Sequence, residues 1–187
     1  MNLRRAAVLI SGAWMLASPA AAESAPKPLE MPVCSELELR VGGLFRVGIA
    51  RLYLDDCGRA RDDVLAPVPK QFSLELARSF SGQDLSDAAY DLLRRNLGLD
   101  TDDPLPEPLA CLARAYVDAD VGDRYDVSFS PERGLALHLN GELLQSCDKQ
   151  GPAEKYFLIW FGDQPFHRRM RDVLLERAES AARSPYS

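Results

Sequence analysis

The segment from residue 124 to residue 147, "RYDVSFSPERGLALHLNGELLQSC", restricts the fold more than any other part of the chain. Apolar and polar residues alternate along it, and "SPERG" and Asn140-Gly141 have the composition of tight turns. The spacing predicts strands over residues 124–130 and 135–140, and a third strand after Gly141. Strands joined by turns this short run antiparallel. The segment therefore predicts an antiparallel sheet rather than alternating βαβ units.

The remaining periodicity adds three strands and four helices to this sheet. Strands are predicted around residues 37–41, 44–54 and 70–80, where strand-favouring residues occur with apolar–polar alternation. A helix is predicted over 81–98, with Ser81 or Ser86 as its N-cap and Gly98 at its end. Further helices are expected near 107–117, 152–162 and 165–180. The order β-β-β-α-α-β-β-β-α-α predicts an α+β fold, a large antiparallel sheet with helices packed on one face.

The first 22 residues have the layout of a secretory signal. "MNLRR" is basic, "AAVLISGAWMLA" is apolar but too short to span a bilayer, and Ala20-Ala21-Ala22 fits a cleavage site. We therefore predict a signal peptide at 1–22, a flexible leader at 23–33, one domain at 34–180 and a C-terminal tail at 181–187. Export implies a periplasmic location. Cleavage would remove Arg4 and Arg5 and make the net charge of −6 more negative by two, which disfavours nucleic acid and anionic lipid as partners.

Four cysteines in an exported chain indicate two disulfides. Four cysteines allow three pairings. Cys34 and Cys57 flank one hairpin-like unit, which favours Cys34–Cys57 together with Cys111–Cys147. Their spacing is unlike that of a zinc knuckle, so no metal site is expected.

Motifs for the common catalytic chemistries are missing from the sequence. It contains no GxSxG, no Gly-rich phosphate loop and no HExxH, and we expect no cofactor. His138 should point to the opposite face of its strand from Leu137 and Leu139, as a partly exposed side chain; an axial ligand for haem is the less favoured reading. His167 is expected on the solvated surface.

Two strand arginines and one aromatic run have two interpretations each. Arg40 and Arg78 stand beside apolar neighbours, where a guanidinium needs a partner. An ion pair with Glu36, Glu38 or Glu75 is the structural interpretation, and an anion held in a cleft is the functional one. The run "YFLIWFG" at 156–162 is apolar nearly all round, which predicts a helix buried on most sides or else one side of a ligand cavity.

Four motifs taken in order carry a family resemblance. "RVGIARLYL", "VPKQFSLELARSFSGQDLSDAAYDLLRRN", "VGDRYDVSFSPERGLALHLNGE" and "IWFGDQPFHRRMRDVLL" resemble the chalcone isomerase-like domain of bacterial exported proteins over about residues 35–176. The resemblance implies an open-faced β-sandwich of chalcone isomerase type with a cleft between sheet and helices. Enzymes of this family close a flavanone ring in that cleft, and relatives bind fatty acids or haem.

The resemblance also assigns positions to the site. Arg40 best matches the arginine that holds the ligand's anion, whereas Gly48 stands where the family has a hydroxyl-bearing Thr or Tyr. Leu76, Leu85 and Leu92 stand near the Lys, Tyr and Asn positions. These replacements remove the general acid and the carbonyl-polarising donors.

The sequence therefore predicts a periplasmic, non-catalytic protein that binds a small apolar or amphipathic ligand such as a fatty acid. Its expected ligand-binding residues are Arg40, Gly48, Arg78, Leu85 and Tyr90. One alternative is an isomerase or lyase that uses Arg40, Arg78, Tyr53 and Tyr90 on a small phenolic or other apolar substrate. Others are haem binding through His138 and a protein-interaction module of the cell envelope, whose protein partner the sequence does not identify.

Overall fold

A computed structural model describes residues 29–42, 45–100 and 102–183 of the chain. Its six strands form one antiparallel sheet in which every strand pairs with its neighbours in the sequence. The strands are β1 Val33–Val41, β2 Phe45–Leu54, β3 Lys70–Leu76, β4 Arg124–Ser130, β5 Gly134–Leu139 and β6 Glu142–Cys147. The predicted signal peptide, most of the predicted leader and the end of the predicted tail lie outside the described residues.

The two faces of the sheet differ in chemistry. Residues paired across antiparallel strands share a face, and one continuous row is apolar and nearly inaccessible: Leu52, Phe72, Val127 and Leu137. The next row, on the opposite face, is polar: Arg51, Ser73, Asp126 and His138. Burial of the apolar row requires a second layer, which the helices supply.

Five helices and two 3₁₀ turns make up that layer. The helices are α1 Ala60–Asp63, α2 Gly82–Leu97, α3 Glu107–Ala113, α4 Leu158–Phe161 and α5 Arg168–Ala182, and the turns are Cys57–Arg59 and Ala153–Phe157. Helix α5 packs on β1 and β2, α3 packs on β5 and β6, and α2 contacts α3 and α4. The predicted α+β class, with helices on one face of an antiparallel sheet, is confirmed. None of the helices in the described ranges has the length and apolar composition needed to cross a membrane.

Helix α2 has the boundaries that its sequence predicts. The Ser81 hydroxyl accepts a hydrogen bond from the Asp84 backbone N–H, which caps the N-terminus. Gly98 ends the helix in the left-handed conformation, with φ of 67°. The buried face, which includes Ala89, Leu92 and Leu93, then points toward the sheet.

Several predicted boundaries are wrong, each for a local reason. Strand β3 ends at Leu76 rather than at residue 80, because the Leu76 backbone bonds to the turn at Gly122 and Asp123, and Phe80 makes only an isolated bridge to Ala119. Helix α3 ends at Ala113, four residues early. The loop at 55–69 contains a 3₁₀ turn and α1.

The C-terminal helices also differ from the prediction. The segment 152–162 is a 3₁₀ turn followed by the single turn α4, because the chain becomes extended at Gly162. Helix α5 begins at Arg168 rather than 165, since His167 Nδ1 caps it by accepting from the Met170 N–H. It continues to Ala182, two residues into the predicted tail.

Both predicted disulfides form. Cys34–Cys57 links β1 to the turn after β2, and Cys111–Cys147 links α3 to the end of β6. The second bond therefore fixes a helix to the far edge of the sheet.

Lys70, at the start of β3, is a fully buried cation. Its ammonium group donates to the carbonyls of Asp63 (3.2 Å), Val64 (3.0 Å) and Ala66, and so binds the loop after α1. Burial disfavours the charged form and lowers the Lys70 pKa to about 8.

Candidate ligand-binding cavity

A cavity of about 230 Å³ lies between the sheet and helices α2 and α4. A single water needs only about 10–15 Å³ of such space, and small-molecule sites typically begin near 300 Å³. The cavity is therefore far larger than a packing defect, and because it lies just below the usual range for small-molecule sites it suits a small ligand. Its position, over the apolar row of the sheet, is the cleft that the family resemblance predicted.

Nearly all of the lining is apolar. The sheet contributes Val47, Phe72, Leu74, Leu76, Tyr125 and Val127. The helix side consists of Leu85, Ala88, Ala89 and Leu92 from α2 with Ile159 and Trp160 from α4, and the remaining lining residues are Phe80, Asp84, Tyr116 and Phe166. Asp84, Ala88 and Phe166 are exposed, so we place the mouth among them.

The run "YFLIWFG" supplies both core and cavity. Tyr156 and Phe157 are fully buried, whereas Ile159 and Trp160 line the cavity. The Trp160 ring stacks on Phe72 of β3 with 4.3 Å between centroids. Both interpretations of this run are therefore correct for different residues, because a 3₁₀ turn followed by one α-helical turn presents its side chains on more than one side.

Two tyrosine hydroxyls meet beside the cavity. The hydroxyl oxygens of Tyr116 and Tyr156 are 3.2 Å apart and share a hydrogen bond. Tyr156 is fully buried and does not line the cavity, whereas Tyr116 is half-buried and lines it. Burial raises the pKa of Tyr116 to about 12 and that of Tyr156 well above its ordinary value. Both side chains are therefore neutral near pH 7.

The other polar groups of the lining are already engaged or lie at the mouth. The Tyr125 hydroxyl donates to the Val117 carbonyl over 2.5 Å. Asp84 is the one charged residue in the lining, and no cation lines the cavity within the described part of the chain. The interior consequently offers apolar surface and a single pair of neutral hydroxyls.

The structure places Arg40 outside this cavity. Its guanidinium bonds to Glu38 over 2.6 Å, and Arg46 bonds to the same carboxylate over 3.1 Å. Arg40 borders a separate crevice with His167 and Arg169. The expectation that Arg40 stands in the cleft is corrected: Arg40 follows the buried Leu39 in β1, and alternation turns it to the opposite face of the strand, together with Glu38.

Gly48 does not belong to the lining, but its position is tightly constrained. It pairs with Leu76, and a Cβ at Gly48 would collide with the Glu75 carbonyl oxygen of the neighbouring strand. A Thr or Tyr at this position could not be accommodated without moving β2 or β3.

The remaining predicted ligand-binding residues have separate locations. Leu85 lines the cavity. Arg78 is exposed and lies 5.1 Å over the ring of Phe80, a lining residue, so it stands next to the cavity rather than within it. Tyr90 is half-buried on α2 outside the lining, where its hydrogen bond with Arg114 raises the Arg114 pKa.

The alternative catalytic set does not converge. Tyr53 pairs with Gln71 on the face of the sheet away from the cavity, while Arg40 and Tyr90 lie where described above. His138 is fully buried on that same polar face, opposite Asp126, which corrects the expectation of a partly exposed histidine. It does not face the cavity. No cluster of His, Cys, Asp and Glu within the described ranges could hold a metal ion.

Comparison with known proteins agrees with this geometry. The model of the chalcone isomerase-like family matches residues 37–176, three quarters of the chain, so the protein belongs to that family. Among solved structures, a fatty-acid binding protein of Arabidopsis thaliana is similar with a TM-score of 0.58. The alignment covers 82% of this chain and 91% of that one at 16% identity, which establishes a common fold. The comparison with curated proteins gave no significant match.

Sequence reasoning did not identify the tyrosine pair. Tyr116 lies near the end of the predicted helix 107–117, and Tyr156 begins the apolar run at 156–162. The two residues are 40 positions apart, and only the packing of α3 against the 3₁₀ turn Ala153–Phe157 brings them together. No local pattern in either segment signals that contact.

Proposed function

We propose that this protein is a non-catalytic binder of a small apolar or amphipathic ligand. The observation that carries the proposal is the cavity of about 230 Å³, whose lining contains one charged residue, at the mouth. Pockets for small ligands are mostly apolar with a few placed polar groups. The lining lacks a nucleophile paired with a base, which acyl transfer would need.

A fatty acid is one ligand that fits these features. Its chain would lie against Phe72, Leu74 and Trp160, and its carboxylate would remain at the mouth. Arg78, whose guanidinium lies 5.1 Å over the ring of the lining residue Phe80, would meet the head group. The fatty-acid binding protein of the same fold gives this ligand class additional weight.

Export to the periplasm is part of the proposal. It is supported by the signal-like residues 1–22 and by two disulfides, which persist in oxidising compartments. Expression of the full chain in a bacterium tests it: release by osmotic shock of a protein lacking residues 1–22 is expected. A full-length protein in the cytoplasmic fraction would contradict export.

Native mass spectrometry tests ligand binding. The full chain is expressed, purified without detergent and measured before and after extraction with organic solvent. We expect a discrete added mass that extraction removes, or, for protein purified empty, saturable uptake of octanoate or a longer fatty acid.

A variant that blocks the mouth distinguishes ligand binding in the cavity from ligand binding at another surface. Ala88→Trp adds an indole at an exposed lining position, and Asp91→Trp adds the same group at an exposed α2 position outside the lining. Ala88→Trp should weaken binding at least about tenfold, and Asp91→Trp should leave it unchanged. Equal affinity in both variants would show that the ligand binds elsewhere, and no binding by the wild type would reject the proposal.

A further inference from the structure

The Tyr116–Tyr156 pair has one more hydrogen-bond donor than it can use internally. Two hydroxyls carry two hydrogens, and one hydrogen bond between them uses one. Within the described residues, that bond is the only one the structure gives to either hydroxyl. One O–H group therefore remains without a protein acceptor, whichever of the two tyrosines donates to the other.

The position of the pair decides where this O–H is directed. Tyr156 is fully buried and does not line the cavity, while Tyr116 does. With Tyr156 donating to Tyr116, the remaining hydrogen belongs to Tyr116, which lines the cavity and can turn its O–H group toward it. The reverse arrangement would leave a donor in the closed core, at a cost of about 1–3 kcal/mol. The first arrangement is thus the stable one.

The charges of the cavity lining restrict which kind of hydrogen-bond acceptor a ligand can bring to Tyr116. No cation lines the cavity in the described part of the chain, and its single charged residue is the acid Asp84. An ionised carboxylate brought to Tyr116 would lose its hydration without gaining a counter-ion, which costs far more than one hydrogen bond returns. The buried phenols remain neutral and so give no compensating charge.

We propose that the Tyr116 hydroxyl, held by Tyr156, is a specificity element that selects ligands carrying an uncharged hydrogen-bond acceptor at the end that enters the cavity. The class comprises ketones, aldehydes, esters and alcohols with an apolar body. A ligand without such an acceptor leaves the donor unsatisfied. A carboxylate ligand keeps its charge at the mouth and makes no use of Tyr116. This inference rests on the proposed function and narrows its ligand class.

Three probes of nearly equal size test the inference. They are methyl hexyl ketone, the isostere in which a methylene group replaces its carbonyl oxygen, and octanoate at neutral pH. Dissociation constants for the two volatile probes are measured by headspace partition over the full-length protein, and that for octanoate by calorimetry. The informative quantity is the ratio of the isostere's dissociation constant to that of the ketone.

Two tyrosine variants give the matched comparison. Tyr116→Phe removes the proposed donor, and we expect the ratio to fall about five- to tenfold. Tyr125→Phe removes a hydroxyl from the same lining, but one whose hydrogen is committed to Val117. The ratio should stay within about twofold in Tyr125→Phe, as should the affinity for octanoate in Tyr116→Phe.

The outcomes separate the two proposals. An unchanged ratio in Tyr116→Phe, or an equal loss of octanoate affinity, overturns the role of Tyr116 and leaves the cavity as a binding site. Failure of all three probes to bind the wild type overturns both. If Tyr116→Phe does not fold, the infrared spectrum of the ketone bound to wild type decides: a carbonyl band below its position in hexane supports the hydrogen bond, and an unshifted band rejects it.

Discussion

The rings of Phe72 and Trp160 are stacked at 22° between planes, with 4.3 Å between their centroids. This contact joins the middle of the sheet to α4 and forms one side of the cavity. Trp160 also meets the ring of Phe157 edge-on. Its indole is therefore both part of the core and a surface that a ligand would touch, so stability and binding are coupled at this residue.

Trp160→Ala should lower the free energy of unfolding by about 3–5 kcal/mol, because it enlarges a cavity that the surrounding strands cannot close. Urea denaturation with both disulfides intact measures the change. Phe166→Ala, at a lining residue that is 43% exposed, is the control and should cost less than about 1 kcal/mol. Similar losses in both variants would contradict the structural role assigned to Trp160.

The buried ammonium of Lys70 predicts a specific pH dependence. Its pKa is about 8 in the folded protein, against 10.5 for the ordinary side chain. Between these values the unfolded chain binds the proton and the folded chain does not, so this group makes stability rise as pH increases from about 8 to about 10.5. Below pH 8 Lys70 is protonated in both the folded and the unfolded chain, so the gain in stability from its deprotonation in the folded chain is lost.

A Lys70→Met variant isolates this contribution. The free energy of unfolding of wild type minus that of the variant should increase across this range by up to about 3 kcal/mol. The buried tyrosines, whose raised pKa values lower stability from about pH 10 upward, are common to both proteins, so their contribution cancels. A difference that is flat with pH would contradict the low pKa.

The strand pairing at Gly48 predicts a severe effect of restoring a family-like hydroxyl. Gly48→Thr should destabilise the protein by at least about 2 kcal/mol, because the new Cβ meets the Glu75 carbonyl oxygen. Thermal unfolding measures the loss, and a chalcone cyclisation assay should remain negative. Gly58→Ala is the control, because its added methyl would lie 3.2 Å from the movable Asp56 carboxylate and in ordinary contact with the Ala182 methyl at 3.5 Å. A stable Gly48→Thr protein would show that β2 and β3 adjust easily.

The two disulfides should contribute unequally. Cys111–Cys147 spans 36 residues and Cys34–Cys57 spans 23, and the longer loop loses more conformational entropy when it is closed. Replacing both members of either pair by Ala should cost about 3–4 kcal/mol, with the larger loss for Cys111 and Cys147. Urea denaturation of the two double variants compares them, and the reverse order would contradict the loop-length argument.

Local patterns predicted much of the fold. Asn140 and Gly141 both have positive φ, as a tight hairpin between β5 and β6 requires. Ser81 and Gly98 bound α2 because capping depends on neighbours within a few residues. The pairing of Cys34 with Cys57 followed from their position around one hairpin.

The site was less accessible to sequence reasoning because its features depend on distant contacts. Alternation in β1 already places Arg40 on the face opposite Leu39, so it was the family resemblance, not the strand pattern, that assigned Arg40 to the cleft. His138 was expected to be partly exposed as a polar strand residue, but it is buried on the polar face opposite Asp126. The Tyr116–Tyr156 contact joins two segments that are 40 residues apart, and no sequence pattern predicts that they meet.

The sequential order of the strands has a consequence for synthesis of the protein. The six described strands all precede Ile159 and Trp160. When the chain emerges N-terminus first, from the ribosome or from a secretion channel, the apolar row at Phe72 and Val127 therefore has no α4 to cover it until after β6 has emerged. A chain of which only the part up to β6 has emerged exposes this apolar row to water and to other chains. Ile159 and Trp160, which line the cavity, therefore also cover the apolar row and end the period in which the uncovered sheet can associate with other chains.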